Sequence, residues 1–82
     1  MWYVYIVRCA DRTLYTGVAR DLSARLAAHN EGRGAKYTRA RLPVKLIYQE
    51  TAENRSAAQR REHAIKRLSR TEKRALAKRG AS

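Results

Sequence analysis

The chain has 82 residues, 19 of them Lys or Arg against 7 Asp or Glu, giving a formal net charge of +12 at pH 7. That length fits one domain over residues 1–82, and such a charge costs self-repulsion unless a polyanion shares the surface, which makes nucleic acid the expected partner. A lone cysteine, Cys9, excludes an internal disulfide and a cysteine-based zinc site.

The opening "MWYVYIV" lacks the basic stretch and cleavage site of a secretory signal, and no apolar run approaches membrane-spanning length. A cytoplasmic protein with no membrane partner is expected. "WYVYIVRC" and "TLYTGV" are rich in aromatic and β-branched residues and flank the polar "ADR", predicting a β-hairpin. A loop with an odd number of residues, Ala10 to Arg12, places Tyr5, Val7, Tyr15 and Gly17 on one face. Two phenols then stand side by side, and Gly17 leaves room for a close approach.

Asp21 is placed to cap a helix running to about His29 and carried by Leu22 and Leu26. With Leu22 at zero on the helical wheel, Leu26 falls at about +40°, His29 at about −20° and Arg25 at about −60°. Arg25 and His29 therefore stand beside the buried stripe, either as boundary residues with polar tips in water or as members of a site. "NEGRGAKYTRARLP" follows as a basic, glycine-containing loop. Its Arg33, Lys36, Arg39 and Arg41, with Tyr37, suit a surface that grips phosphates and stacks a base. "VKLIYQE" reads as a third strand.

Ser56-Ala-Ala-Gln59 has the form of a capping box and predicts a helix over about residues 57–68, with Ala58, Ile65 and Leu68 on its apolar face. Glu62, the one acidic residue between Asn54 and Thr71, lies on the shoulder of that face among basic neighbours. A lone carboxylate so placed could hold a divalent ion, or pair with Lys66 one turn on. Arg61 falls near the centre of the apolar face, which the wheel does not explain. Ser69-Arg-Thr-Glu72 repeats the box and opens a helix over about residues 70–79, with Gly80 as a stop. The fold class is α/β of the α+β type: a small three-stranded antiparallel sheet flanked by helices in the order ββαβαα. Basic charge is spread through both halves and forms no detachable tail.

These residues carry a family resemblance. "YVY", nine residues, then "YTG" resembles the paired motif that names the GIY-YIG nucleases, with Arg25 ten residues and His29 fourteen residues beyond Tyr15. "RREHAIKRLSR" is similar to the segment carrying that family's catalytic glutamate, here Glu62. The glycine of the first half-motif is Tyr3 in this chain, and the isoleucine of the second is Thr16. The likeness covers nearly the whole chain and extends to small bacterial proteins made of this domain alone, in which Lys36 and Tyr37 fall on a shared "KYT".

The resemblance implies metal-dependent cleavage of a phosphodiester. Tyr15 would take a proton from the attacking water, and Arg25 would stabilise charge developing on the phosphoryl group or leaving oxygen. Glu62 would be the single protein ligand of Mg2+ or Mn2+, Tyr5 would orient water or phosphate, and His29 would assist proton transfer. The implied substrate is nucleic acid, DNA ahead of RNA, with a protein partner supplying target specificity. The alternative is a non-cleaving DNA- or RNA-binding module or accessory subunit that uses the basic surface alone.

Overall fold

A computed structural model describes residues 1–80 of the chain. Strand β1 (Trp2–Arg8) and strand β2 (Leu14–Ala19) form the expected hairpin, followed by α1 (Leu22–Asn30), a single helical turn α2 (Lys36–Arg39), β3 (Lys45–Ala52), α3 (Arg55–Lys66) and α4 (Arg70–Gly80). The antiparallel sheet has the order β2-β1-β3, so β1 is central and β2 is an edge. The sequence-based order holds, with one addition: α2 lies inside the segment expected to be all loop. Four residues are too few for a hydrophobic period to show.

Both faces of β1 are covered, which is why "VYIV" is apolar without alternation. Tyr5 and Val7 pack with Ala19, Leu22, Leu26 and Leu46 on the α1 side. Val4 and Ile6 pack with Val18, Tyr48, Ala58, Ile65 and Leu76 on the side of α3 and α4. An irregularity in the β1–β3 register follows Ile6, which opposes Tyr48 while Val7 opposes Leu46. Ile47 is the extra residue, so it and Tyr48 both join the α3 side.

The hairpin loop has the expected odd length. Cys9 N–H donates to the Thr13 carbonyl at 2.8 Å, and Arg12 takes a left-handed φ of 70° where glycine is the usual choice. Tyr5 opposes Gly17 and Val7 opposes Tyr15, the register inferred from loop parity. Asp21 caps α1 by accepting from Ala24 N–H at 3.0 Å. At the other end Gly32, at φ 79°, donates to the His29 carbonyl while Arg33 N–H donates to that of Ala28, a Schellman stop that turns the chain back under α1.

The start of α3 corrects the sequence expectation. Asn54, not Ser56, is the N-cap, its side chain accepting from Ala57 N–H at 2.8 Å. Ser56 lies in the first turn and accepts from Arg60 instead. Both residues are good caps, and Asn54 wins because its extended backbone leaves the strand in the right direction. The helix ends at Lys66, with half-buried Leu68 beyond it. Ser69 and Glu72 do form the predicted capping box, each side chain bonding the other's backbone N–H, at 3.1 and 2.8 Å. Arg61 reaches across to β3, where its Nε donates to both oxygens of Glu50 at 2.8 and 2.9 Å, which accounts for its place on the apolar wheel.

Candidate active site

Of the residues singled out from the sequence, Tyr5, Tyr15, Arg25 and His29 converge beside β2. Gly17 is what permits it: a methyl group there would lie 2.6 Å from Tyr5 Oη and 2.7 Å from Cζ, so the Tyr5 ring crosses directly over the glycine. Tyr5 is completely buried, and its hydroxyl lies 2.8 Å from His29 Nε2. Arg25 Nε approaches the same oxygen at 3.4 Å. The Tyr15 ring stands edge-on to His29, centroids 5.6 Å apart, and stacks on Tyr37 at 6.0 Å.

His29 is completely buried with both ring nitrogens engaged, so it is no solvent-seeking boundary residue. Nδ1 lies 2.9 Å from Thr38 Oγ1, and that hydroxyl donates its proton to the Ala35 carbonyl, also at 2.9 Å. Nδ1 must therefore carry hydrogen and donate to Thr38, which leaves Nε2 bare to accept from Tyr5. The chain of donors runs one way, from Tyr5 through His29 and Thr38 to Ala35. Burial, then the nearby Arg25 charge, lowers the His29 pKa and keeps the ring neutral. Gly34 completes the cradle, for a Cβ at that position would collide with His29 Nδ1 and Cα.

Sequence reasoning missed Thr38 and Gly34 as site residues. The "KYT" segment drew attention to its cation and its aromatic ring, while a threonine in a basic loop carries no signal of its own.

Burial pushes the Tyr5 phenol up, with the nearby oxygens of Tyr15 and Glu62 adding to the shift and Arg25 opposing it. Tyr5 is thus committed to its protonated, donating form. The Arg25 pKa is pushed up in turn, first by its hydrogen bond to Tyr5 and further by the oxygen of Tyr15. Glu62 comes from α3, on the opposite face of the sheet, yet its charge is felt at Tyr5. Its carboxylate is also 3.4 Å from Lys66 Nζ, the pairing one turn on that the sequence offered.

Among the described residues no three His, Cys, Asp or Glu side chains gather as a metal cage. A single, largely covered carboxylate suits an ion that keeps most of its waters and takes its remaining oxygens from phosphate, as Mg2+ does. The donor set therefore fits one such ion bound at Glu62.

The expected nucleic-acid contacts divide. Tyr37 is 40% exposed, but Tyr15 stacks on it and the Arg41 guanidinium sits 4.0 Å from its centroid. Arg41 also pairs with Asp11 at 3.0 Å, and Arg33 pairs with Glu31 at 2.6 Å. Lys36 and Arg39 are exposed on α2. Among the described residues no helix is long and apolar enough to cross a membrane.

The model of the GIY-YIG catalytic domain matches residues 1–75. A UPF0213 protein of Desulfotalea psychrophila is 55% identical over 94% of this chain and 71% of its own length. One from Staphylococcus haemolyticus is also 55% identical, over 87% of each. Among solved structures, the solution structure of a UPF0213 protein from Bacillus halodurans covers 95% of this chain and 84% of its own at 40% identity, with a TM-score of 0.59. That of a protein from E. faecalis covers 98% and 86% at 36% identity, with a TM-score of 0.61. With the paired tyrosines on one face of a single hairpin and the match running through Glu62, the chain belongs to the GIY-YIG family, a nuclease-type superfamily, and stands among its small UPF0213 members.

Proposed function

We propose that this protein hydrolyses nucleic-acid phosphodiesters by metal-dependent endonucleolytic cleavage. The supporting observation is the division of labour between its two phenols. Tyr5 donates to His29 and is held protonated by burial, whereas Tyr15, half-buried beside Arg25, is the phenol left to accept a proton. Acting as the phenolate, Tyr15 Oη takes a proton from water as the water oxygen attacks phosphorus, the bond to the leaving oxygen breaks, and solvent supplies the proton to that oxygen. Arg25 faces the charge that develops on the phosphoryl oxygens. Tyr5, itself fixed by His29, holds Arg25 in place. Glu62 would hold Mg2+ or Mn2+, which when bound supplies a Lewis acid for the phosphate oxygens. Lys36, Arg39 and Tyr37, with Arg33 and Arg41 at the rim, make phosphate and base contacts. DNA is the first substrate to try, and a protein partner would add target specificity that one small domain does not encode.

The test is cleavage of labelled single-stranded, duplex and branched DNA and RNA with Mg2+, Mn2+ or EDTA. Wild type is compared with Glu62→Gln and Tyr15→Phe. Metal-dependent products are expected from wild type, with a loss of about 10²–10⁴-fold in Tyr15→Phe. Glu62→Gln should bind and not cut. If wild type and Glu62→Gln bind alike and neither cuts under any metal, the nuclease reading falls and a non-cleaving binding module replaces it.

A further inference from the structure

The basic residues of the molecule are not evenly neutralised. Among the described residues four ion pairs engage Glu31, Asp11, Glu50 and Glu62. Asp21 and Glu72 cap helices. This leaves the cleft between α4 and the hairpin end of the sheet, about 560 Å³ in volume, with no acidic residue in its lining. Its cations are Arg8 from β1, Arg12 from the hairpin loop, Lys45 from β3, and Arg70 and Arg74 from α4.

Arg70 donates to the Arg12 carbonyl at 2.8 Å, tying the helix to the left-handed residue of the loop. The side chains of Arg8, Lys45 and Arg74 have no ion pair or hydrogen bond among the described residues. Five cations from four separate elements, facing one concavity, repel one another at a cost that an anion would remove. The loop expected to grip phosphate is by contrast partly self-neutralised, since Arg33 and Arg41 both hold carboxylates.

The cleft is also close to the candidate active site along the chain. Leu14, in its lining, and Tyr15, in the site, are successive residues of the edge strand, and their side chains lie on opposite faces. Only the edge strand separates the two places. A nucleic-acid strand passing Tyr15 can round that edge and meet the cleft.

We propose that this cationic cleft is a second nucleic-acid site, holding backbone phosphates of the same strand beyond the edge strand from the catalytic residues. The proposal rests on the reading of the protein as one that acts on nucleic acid. Contacts there are to phosphate, so they add affinity and register without base preference.

The test is the salt dependence of binding, measured in EDTA so that hydrolysis does not enter. The probe is a labelled single strand of mixed sequence and about 20 nucleotides, longer than one small domain covers. Lys45→Gln/Arg74→Gln is compared with wild type and with Arg60→Gln/Arg67→Gln, which removes the same charge from the exposed face of α3 and its end. Lys45 and Arg74 are exposed and unpaired, so their loss removes no contact and thermal unfolding should shift no lower than wild type. Losing two phosphate contacts lowers the slope of log K against log salt by about 1.4, and the α3 pair should change it far less. Equal slopes for the two double variants, with a wild type that still cleaves, would overturn the cleft and leave the nuclease standing. A wild type that binds with the expected slopes but never cleaves would do the reverse.

Discussion

Thr38 shows how a side chain two hydrogen bonds away from a phenol can fix where the protons lie. Its hydroxyl has one proton, spent on the Ala35 carbonyl, so it accepts from His29 and thereby sets the tautomer that receives Tyr5. Thr38→Val keeps the shape and removes both bonds, leaving buried Nδ1–H without its partner, while the Ala35 carbonyl keeps the Thr38 and Arg39 N–H groups. It should cost about 1–3 kcal/mol in urea unfolding, while Thr38→Ser stays near wild type. Imidazole nitrogen shifts should show the Nδ1–H form in wild type and a mixture in the valine variant; an unchanged tautomer would mean that Tyr5 alone sets it. The same ring gives a pH dependence. The His29 pKa is lower in the folded than in the unfolded state, so below the usual histidine value the unfolded chain binds the extra proton. Tm should fall as pH drops from 7 through about 6.5, and His29→Gln should flatten that limb. Thr16, where the family motif has isoleucine, is 3% exposed, and its Oγ1 lacks a hydrogen-bond partner among the described residues. Thr16→Val removes a buried unsatisfied hydroxyl at constant shape and should stabilise by about 1 kcal/mol; a loss instead would reveal a partner for that oxygen.

At the scale of elements, the position of Glu62 depends on where α3 begins. Asn54 sets that start, so Asn54→Ala should cost about 1 kcal/mol of stability and Ser56→Ala only a few tenths, a contrast that chemical denaturation resolves. The reverse ranking would restore Ser56 as the cap. Periodicity, capping residues and turn chemistry made most elements legible: Asp21 and Ser69 each sit where an orphan N–H needs them, and the three-residue hairpin fixed which tyrosines face together. Three features were not legible. The turn α2 is too short to show a period. The N-cap of α3 had two suitable residues two positions apart, and only strand exit direction decides between them. Arg61 looked misplaced because its partner, Glu50, lies on a strand whose proximity is a tertiary fact. Within the site, sequence spacing found side chains that meet, Tyr5, Tyr15, Arg25 and His29, but the groups that orient His29, Thr38 and Gly34, act through backbone geometry that composition does not express.

For the whole molecule, charge acts on stability and on binding with opposite signs. A net charge of +12 on a small fold, with several cations concentrated in one cleft, opposes compaction through repulsion. The four ion pairs are on partly or largely exposed side chains and return little. Salt shortens the reach of these charges from about 30 Å at 0.01 M to about 10 Å at 0.1 M, which relieves repulsion across the molecule more than it weakens pairs in contact. Tm of the free protein should therefore rise over that range. Nucleic acid binding relieves the same repulsion directly and stabilises the fold by linkage, but screening weakens it. With saturating oligonucleotide at low salt, Tm should exceed that of the free protein, and the two curves should converge as salt rises. Paired thermal melts across a salt series measure both. A free-protein Tm that falls with salt would mean the ion pairs outweigh the repulsion, and the excess positive charge would then no longer argue for a polyanionic partner on energetic grounds.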